Sequence, residues 1–340
     1  MIYMVTIYDI AKYSGYSIST VSKALNNYKD VNEETRRRIL DAAEELGYIP
    51  NSNAKSLSTK KTMTIGVVFE EKTGLGITHP FFSKVLNEFK KCVEEKGYDL
   101  LFMSDQLGKN PKLSYYEHCL LKGVDGVIIL CSDITTENIK RLFDSDIPSV
   151  IIDNDTSKTN CVYTDNYKYL FLATKYLIEK GHTRIAHIAG SIASFVGKER
   201  LRGYKDALKH HGIAVRDDYI LRGHNYSIIQ GYNRGLDIIK MEDKPTAVIA
   251  ASDTLAFGMM KALEEHGYKV PEDISVIGYD DSEIALYTQP PLTTIQQNTE
   301  RIAKEAAKLL VAQMQKPTKV YQKKEIDAKL IERQTVRSLL

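Results

Sequence analysis

Thr6-Ile7-Tyr8-Asp9-Ile10-Ala11-Lys12-Tyr13-Ser14-Gly15-Tyr16-Ser17-Ile18-Ser19-Thr20-Val21-Ser22-Lys23-Ala24-Leu25-Asn26 is the stretch from which the rest of the chain is read. Thr6 and Asp9 form a capping box, a hydroxyl at the N-cap and a carboxylate three residues on, so a short helix is expected through Tyr13. Gly15 breaks it in a tight turn, where a positive φ costs little without a Cβ. Ser17 caps a second helix, Ile18 to Leu25, which ends at Asn26-Asn27. Ala11 is small where the second helix crosses, and Val21 and Ala24 face the first. This is the pattern of a helix-turn-helix. The outward face of the second helix then carries Ile18, Ser19, Thr20, Ser22 and Lys23. Such a face suits a major groove, with hydroxyls on phosphates and longer side chains on base edges.

A third helix is expected from Asn32, with Ile39, Ala42, Ala43 and Leu46 at helical spacing and a stop at Gly47. Residues 1–50 thus read as an all-α headpiece. Asn51-Ser52-Asn53-Ala54-Lys55-Ser56-Leu57-Ser58 is too polar for a core and too short to be a stable helix alone. Charge adds little, because residues 1–60 hold eight basic and seven acidic side chains. DNA binding therefore rests on the geometry of the motif and not on a basic footprint.

Thr6-Ile7-Tyr8-Asp9-Ile10-Ala11, Ser17-x-x-Thr20-Val21-Ser22, Leu25-Asn26, Gly47-Tyr48-x-Pro50-Asn51 and Ala54-x-x-Leu57 together resemble the lactose/galactose-repressor family. The resemblance implies that residues 51–62 are a hinge, which becomes helical when a dimer sits on a pseudopalindromic operator. Leu57 would then wedge into the minor groove, an unstacking cost offset by added contact. It implies DNA contacts from Thr6, Ser17, Ile18, Ser19, Thr20, Ser22, Lys23, Asn26, Ala54 and Leu57. Two departures stand out. Lys23 and Lys55 occupy positions where the family usually has arginine, and a lysine lacks the fork that reads guanine bidentately.

From Thr64 onward short apolar runs alternate with amphipathic helices: Ile65–Phe69, Leu100–Met103, Gly126–Leu130 and Ser149–Ile152, then Ile185–Ala189, Ala247–Ala251 and Ser275–Gly278. Phe82–Lys96, Tyr167–Lys180 and Thr254–His266 are among the helices between them. The alternation implies two parallel, doubly wound α/β lobes facing across a cleft, like the periplasmic-binding-protein-like core that the resemblance implies for 63–340. By that resemblance the chain crosses between lobes near Tyr163, Pro291–Ile295 and Val320–Glu325, and a last strand near Ile326–Ile331 joins the second lobe. Lobe 1 is then expected over about 63–162 and 293–322, and lobe 2 over 163–292 and 323–340.

Ligands of such sheets bind beyond the carboxyl ends of the strands. Phe81, Asp153, Asp253 and Asp280 stand there, although an aspartate in that place also caps helices. Arg200, Tyr163 and Gln297 match the family's ligand-contact positions. His224-Asn225-Tyr226 falls where the family places an aromatic, and Tyr226 is preferred over Asn225 as the residue facing the pocket. Carboxylates and an arginine fork suit vicinal hydroxyls, so a carbohydrate effector is favoured. The alternative is a co-repressor mode with a nucleobase or a phosphoprotein partner.

The chemistry of other classes is missing. Eight histidines show no metal spacing, Gly74-x-Gly76 lacks the third glycine of a dinucleotide fingerprint, and no P-loop or nucleophile elbow occurs. No enzymatic activity, cofactor or metal is expected. Four dispersed cysteines fit cytosolic thiols, no apolar run reaches the ~18 residues of a membrane span, and the start shows no secretion signal, so a cytoplasmic protein is expected. No leucine heptads follow Glu332, so the expected assembly is a homodimer.

Overall fold

Side-chain caps start the helices of the N-terminal region in the computed structural model, which describes residues 5–49, 61–70, 76–105, 113–131, 133–223 and 225–340. Helices α1 (Ile7–Ser14), α2 (Ile18–Leu25) and α3 (Glu33–Glu45) form the first of two units, which meet at Thr62/Met63. The Asp9 carboxylate accepts from the backbone N–H of Thr6 at 2.8 Å and from its hydroxyl at 2.7 Å. Ser17 Oγ accepts from the N–H of Thr20 at 3.1 Å, and Asn32 Oδ1 from that of Glu34 at 2.7 Å. Each such cap contributes about 1 kcal/mol. Gly15 closes α1 at φ +76°. Ile10, Val21, Ala24, Val31, Ile39, Ala42 and Ala43 bury together, with Ala11 half-buried at the margin. Of the expected hinge, residues 51–60, including Ala54 and Leu57, lie outside the described residues.

The second unit contains β1 (Thr64–Glu70), α4 (Pro80–Glu94), β2 (Asp99–Met103), α5 (Tyr115–Lys122), β3 (Gly126–Cys131), α6 (Glu137–Phe143), β4 (Ser149–Ile152) and β5 (Asn160–Tyr163). It continues through α7 (Asn166–Glu179), β6 (Ile185–Ala189), α8 (Phe195–His210), β7 (Ile220–Arg222), α9 (Ile228–Lys240), β8 (Ala247–Ala250), α10 (Asp253–Glu265) and β9 (Ser275–Asp280). The last elements are α11 (Ile284–Tyr287), β10 (Thr293–Gln297), α12 (Thr299–Gln315), β11 (Lys323–Glu325) and β12 (Ala328–Ile331). The described strands make two sheets, ordered β11-β5-β4-β3-β1-β2 and β12-β10-β9-β8-β6-β7. Every neighbour is parallel except the pair β10–β12.

Both faces of each sheet are covered, which is why the central strands are near-continuous apolar runs. Ile128 and Leu130 point to α4 and α12, while Val127 and Ile129 point to α5 and α6. In the second sheet Val248 and Ala250 pack under α9 and α10, and Ala247 and Ile249 under α7 and α8. Among the described residues no helix is long and apolar enough to cross a membrane.

Two crossover positions need correction. Thr293–Gln297 is not a crossing but strand β10 of the second sheet, hydrogen-bonded between β9 and β12. Thr293 and Thr294 are fully buried there, with Thr293 Oγ1 accepting from the Arg333 N–H at 2.9 Å. The chain crosses just after it, where Asn298 caps α12. Lys323–Glu325 likewise belongs to the first sheet, beside β5, and the return falls between Glu325 and Ala328. The first crossing follows Tyr163, between β5 of the first sheet and β6 of the second. The strands β5, β7 and β11 had no signal in the sequence, being three or four residues long.

Candidate functional site

Arg200 on α8 is the centre of the cleft between the two sheets. Its side chain is 4% exposed, and its guanidinium lies 3.7 Å from the centroid of the Tyr279 ring. Nε donates to Asn166 Oδ1 at 2.7 Å and Nη1 to the Ala251 carbonyl at 2.5 Å. Nη2 stands 3.8 Å from Asp280 Oδ1. Asn166, the first residue of α7, turns its amide to donate to Asp153 Oδ1 at 3.0 Å and to the Thr164 carbonyl at 2.9 Å. One guanidinium thus ties the end of β4 in lobe 1, through Asn166, to the ends of β8 and β9 in lobe 2. Asp153 and Asp280 both hold positive φ, +56° and +104°. A non-glycine residue in that region marks a backbone held by its surroundings.

Tyr226, after β7, reaches the same place. Its ring lies on Gly190, where a Cβ would sit 2.2 Å from ring carbons, and its edge is 6.3 Å from the His79 ring of lobe 1. His79 in turn packs on Phe82 with ring centroids 4.9 Å apart. Gln297 at the end of β10 donates to Asp280 Oδ1 at 2.8 Å. Among the described residues three buried polar atoms here find no hydrogen-bond partner, His79 Nδ1, Gln297 Oε1 and the Tyr279 hydroxyl, while the Tyr226 hydroxyl has that of Ser194 beside it. Buried polar atoms are nearly always satisfied, so a cluster of this kind points to a polar guest.

Burial dominates the electrostatics. It pushes Asp280 up to about 6 against the pull of Arg200, and it raises Asp153 in the same way. Burial, and then Arg200, push His79 down to about 4, so its imidazole is neutral at neutral pH. The arginine faces two carboxylates, and a further anion would be poorly received. A raised carboxyl stabilises the fold while protonated, and that contribution is lost as pH rises from about 4 through about 6. Asp280→Asn should therefore raise the melting temperature at pH 7.5, and the gain should shrink as pH falls through about 6 towards 4. An unchanged melt at pH 7.5 would contradict the assignment.

Not every expected ligand residue lies at this cluster. Asp253 is 1% exposed, and both its oxygens are engaged. Oδ2 accepts from the Ser282 N–H at 2.6 Å and hydroxyl at 2.9 Å, and Oδ1 from the Thr294 hydroxyl at 2.5 Å. It braces the turn that carries Asp280 from behind. Ser252, not Asp253, caps α10. Phe81 is core, its ring centroid 5.2 Å from that of Phe82, which takes the position nearer the cleft. Tyr163 packs on the α5/α6 side of the first sheet, near Ile151 and Cys161. His79, Asn166 and Tyr279 stand at the cluster without a motif to mark them in the sequence. Asn166 follows β5 directly, so recognition of that short strand would have exposed it.

In the N-terminal unit Ile18, Ser19 and Lys23 are exposed on α2. Thr20 and Ser22 are half-buried. The Ser17 and Thr20 hydroxyls pair at 2.9 Å, and the Asn26 amide donates to the Ser22 carbonyl at 2.9 Å. Thr6 serves the cap of α1. Lys23 Nζ donates to Asp30 Oδ2 at 2.6 Å.

A family model described as bacterial regulatory proteins, lacI family, matches residues 6–51, and one for a periplasmic binding protein-like domain matches residues 174–336. The chain is 36% identical to the HTH-type transcriptional repressor PurR of Vibrio campbellii over 342 residues, covering 99% of this chain and 100% of that protein. It is similar to the lac repressor dimer bound to operator and the anti-inducer ONPF, with TM-score 0.86, 27% identity and coverage of 99% and 100%. The transcriptional regulator CelR–cellobiose complex aligns with TM-score 0.71, 29% identity and coverage of 98% and 100%.

Proposed function

This chain belongs to the lacI family of bacterial regulatory proteins and is a DNA-binding repressor, and from that premise we propose that its interlobe cleft takes an uncharged, hydroxyl-rich effector, a sugar or close derivative, that sets operator affinity. The observation that carries the reading is Arg200 flanked by Asp153 and Asp280, with polar atoms of His79, Tyr279 and Gln297 around it that find no partner among the described residues. Hydroxyls donate to the carboxylates and accept from the arginine fork, while a ring face rests on an aromatic. The two carboxylates disfavour sugar phosphates. The cellobiose complex of the similar CelR supports the choice. The gathering of Phe82, His79 and Tyr226 favours a second reading, a nucleobase stacked between aromatics.

The regulator acts as a homodimer on a pseudopalindromic operator in the cytoplasm. Ile228 and Ile229 on α9, with Leu286 and Tyr287 on α11, are exposed on helices that both pack on α10, a surface suited to a second copy. Ligand closure of the cleft changes the pose of the first lobes, and with it whether the two hinge segments around Ala54 and Leu57 become helical together. The DNA contacts are assigned to Ile18, Ser19 and Lys23, with phosphate contacts from Thr6, Ser17, Thr20, Ser22 and Asn26.

Thermal-shift titration of the full chain with neutral mono- and disaccharides, sugar phosphates and nucleobases tests the effector class. A neutral sugar at a hundredfold excess over its Kd should stabilise by about 2.7 kcal/mol. Hits confined to nucleobases would establish the second reading, and hits confined to phosphates would defeat both. On the DNA side, Lys23→Ala should weaken binding to a site selected by the wild-type protein by about 10-fold, or roughly 1.4 kcal/mol, in an anisotropy titration. Unchanged binding would remove α2 from the groove.

A further inference from the structure

We propose that Asp30 is a specificity-determining residue of the DNA-reading surface. It neutralises and aims the Lys23 ammonium, so that Lys23 donates to a neutral base acceptor in preference to a phosphate. This goes beyond the repressor assignment and rests on α2 entering the groove.

Lys23 is the cation of the exposed face of α2, and its ammonium lies 2.6 Å from Asp30 Oδ2. Both side chains are about half exposed, at 46% and 56%. An exposed pair of that kind contributes little to stability, so fold maintenance does not explain it. The loop that carries Asp30 is, however, built to hold it there. After α2 the Tyr28 N–H donates to the Lys23 carbonyl at 3.0 Å, with Asn27 at φ +57°. Val31 is buried in the headpiece core. From α3, Arg36 reaches under the loop and donates to the Tyr28 carbonyl at 2.8 Å and the Val31 carbonyl at 3.2 Å. Its side chain is only 12% exposed. Asp30 is therefore fixed between two anchored residues, and the lysine is held against it.

The chemical consequence follows from counting donors. An ammonium has three N–H groups; one goes to Asp30 and two remain for DNA. A phosphate approaching Lys23 also meets the Asp30 carboxylate, whose repulsion offsets most of the attraction. Guanine N7 or O6, being uncharged, meets no such repulsion. Non-specific binding lives on phosphate contacts, so Asp30 suppresses it while sparing a base contact. Lysine lacks the geometric selectivity of an arginine fork, and a fixed carboxylate supplies a substitute.

The test uses the full chain, a duplex selected by the wild-type protein from a random pool, and a scrambled duplex of equal length and composition. Asp30→Asn should tighten binding to the scrambled duplex by about 10-fold and to the selected duplex by under about 3-fold, with the salt dependence on scrambled DNA steeper by about one phosphate contact. In a Lys23→Ala background, Asp30→Asn should shift both duplexes by the same factor. An equal shift on both duplexes with Lys23 present would overturn the proposal, since that is a plain net-charge effect. Survival of the unequal shift without Lys23 would overturn it too. Full selected-site affinity in Lys23→Ala alone would instead overturn the groove reading, and the proposal with it.

Discussion

Arg200→Ala should abolish the effector response and destabilise the second unit by about 3–5 kcal/mol near pH 8, the cost of leaving buried charge without its partner. Asp280 and Asp153 lie at that guanidinium, and burial already lifts both above the usual carboxylate range. Without Arg200, which pulls both down, their pKa values rise further. A group whose folded pKa is raised contributes stability that is present at low pH and lost as pH rises through the folded value. The deficit of the variant should therefore shrink between pH 8 and pH 5.5 in urea unfolding. Arg200→Lys should recover part of the stability but little of the response, because an ammonium cannot serve Asn166, Ala251 and Asp280 together. Release of labelled operator by the effector found in the thermal screen is the functional readout. A fully responsive alanine variant would end the argument for this cleft.

The second large effect is expected from Asp253, which stands at a strand end as Asp280 does but turns inward. Asp253→Ala strands the Ser282 N–H and two hydroxyls in a site closed to water, and should cost about 3 kcal/mol. In a thermal melt that is about 5 °C for a unit of this size. Asp253→Asn should restore most of the loss. The amide oxygen can serve both the N–H and the hydroxyl of Ser282, while the Thr294 hydroxyl turns to accept from the amide nitrogen. Burial, then the nearby Asp280, push the Asp253 carboxyl up to about 7, so the asparagine also removes a charge that is costly to bury. Gly278 gives an independent check, because a Cβ there would come within 2.3 Å of Asp253 Oδ1. Gly278→Ala should thus resemble Asp253→Ala by pushing the carboxylate from its partners without removing it. If Asp253→Ala melts like wild type yet loses effector affinity, Asp253 is a ligand residue after all.

How much was legible depends on the range of the interaction. Thr6 with Asp9, Ser17 with Thr20 and Asn32 with Glu34 are partners two or three residues apart, and residue types at those offsets almost dictate the bond. The central strands were legible because burial on both faces requires continuous apolar runs. Arg200 stood out by its motif, and Gln297 and Asp280 share a bond near it.

By itself, then, the amino-acid sequence settled three short capped helices and two α/β lobes whose strand ends face a cleft. It could not settle which strand-end carboxylate meets the cleft and which turns inward. Asp253 and Asp280 look alike in the chain, and they differ only because Ser282 and Thr294 come from 29 and 41 residues away to occupy the first. The crossover at Asn298, the relay through Asn166 and the clamp of Arg36 on the Asp30 loop were likewise settled by packing. Local hydrogen bonds depend on neighbours in sequence, but desolvation and long-range pairing depend on what the folded chain brings alongside.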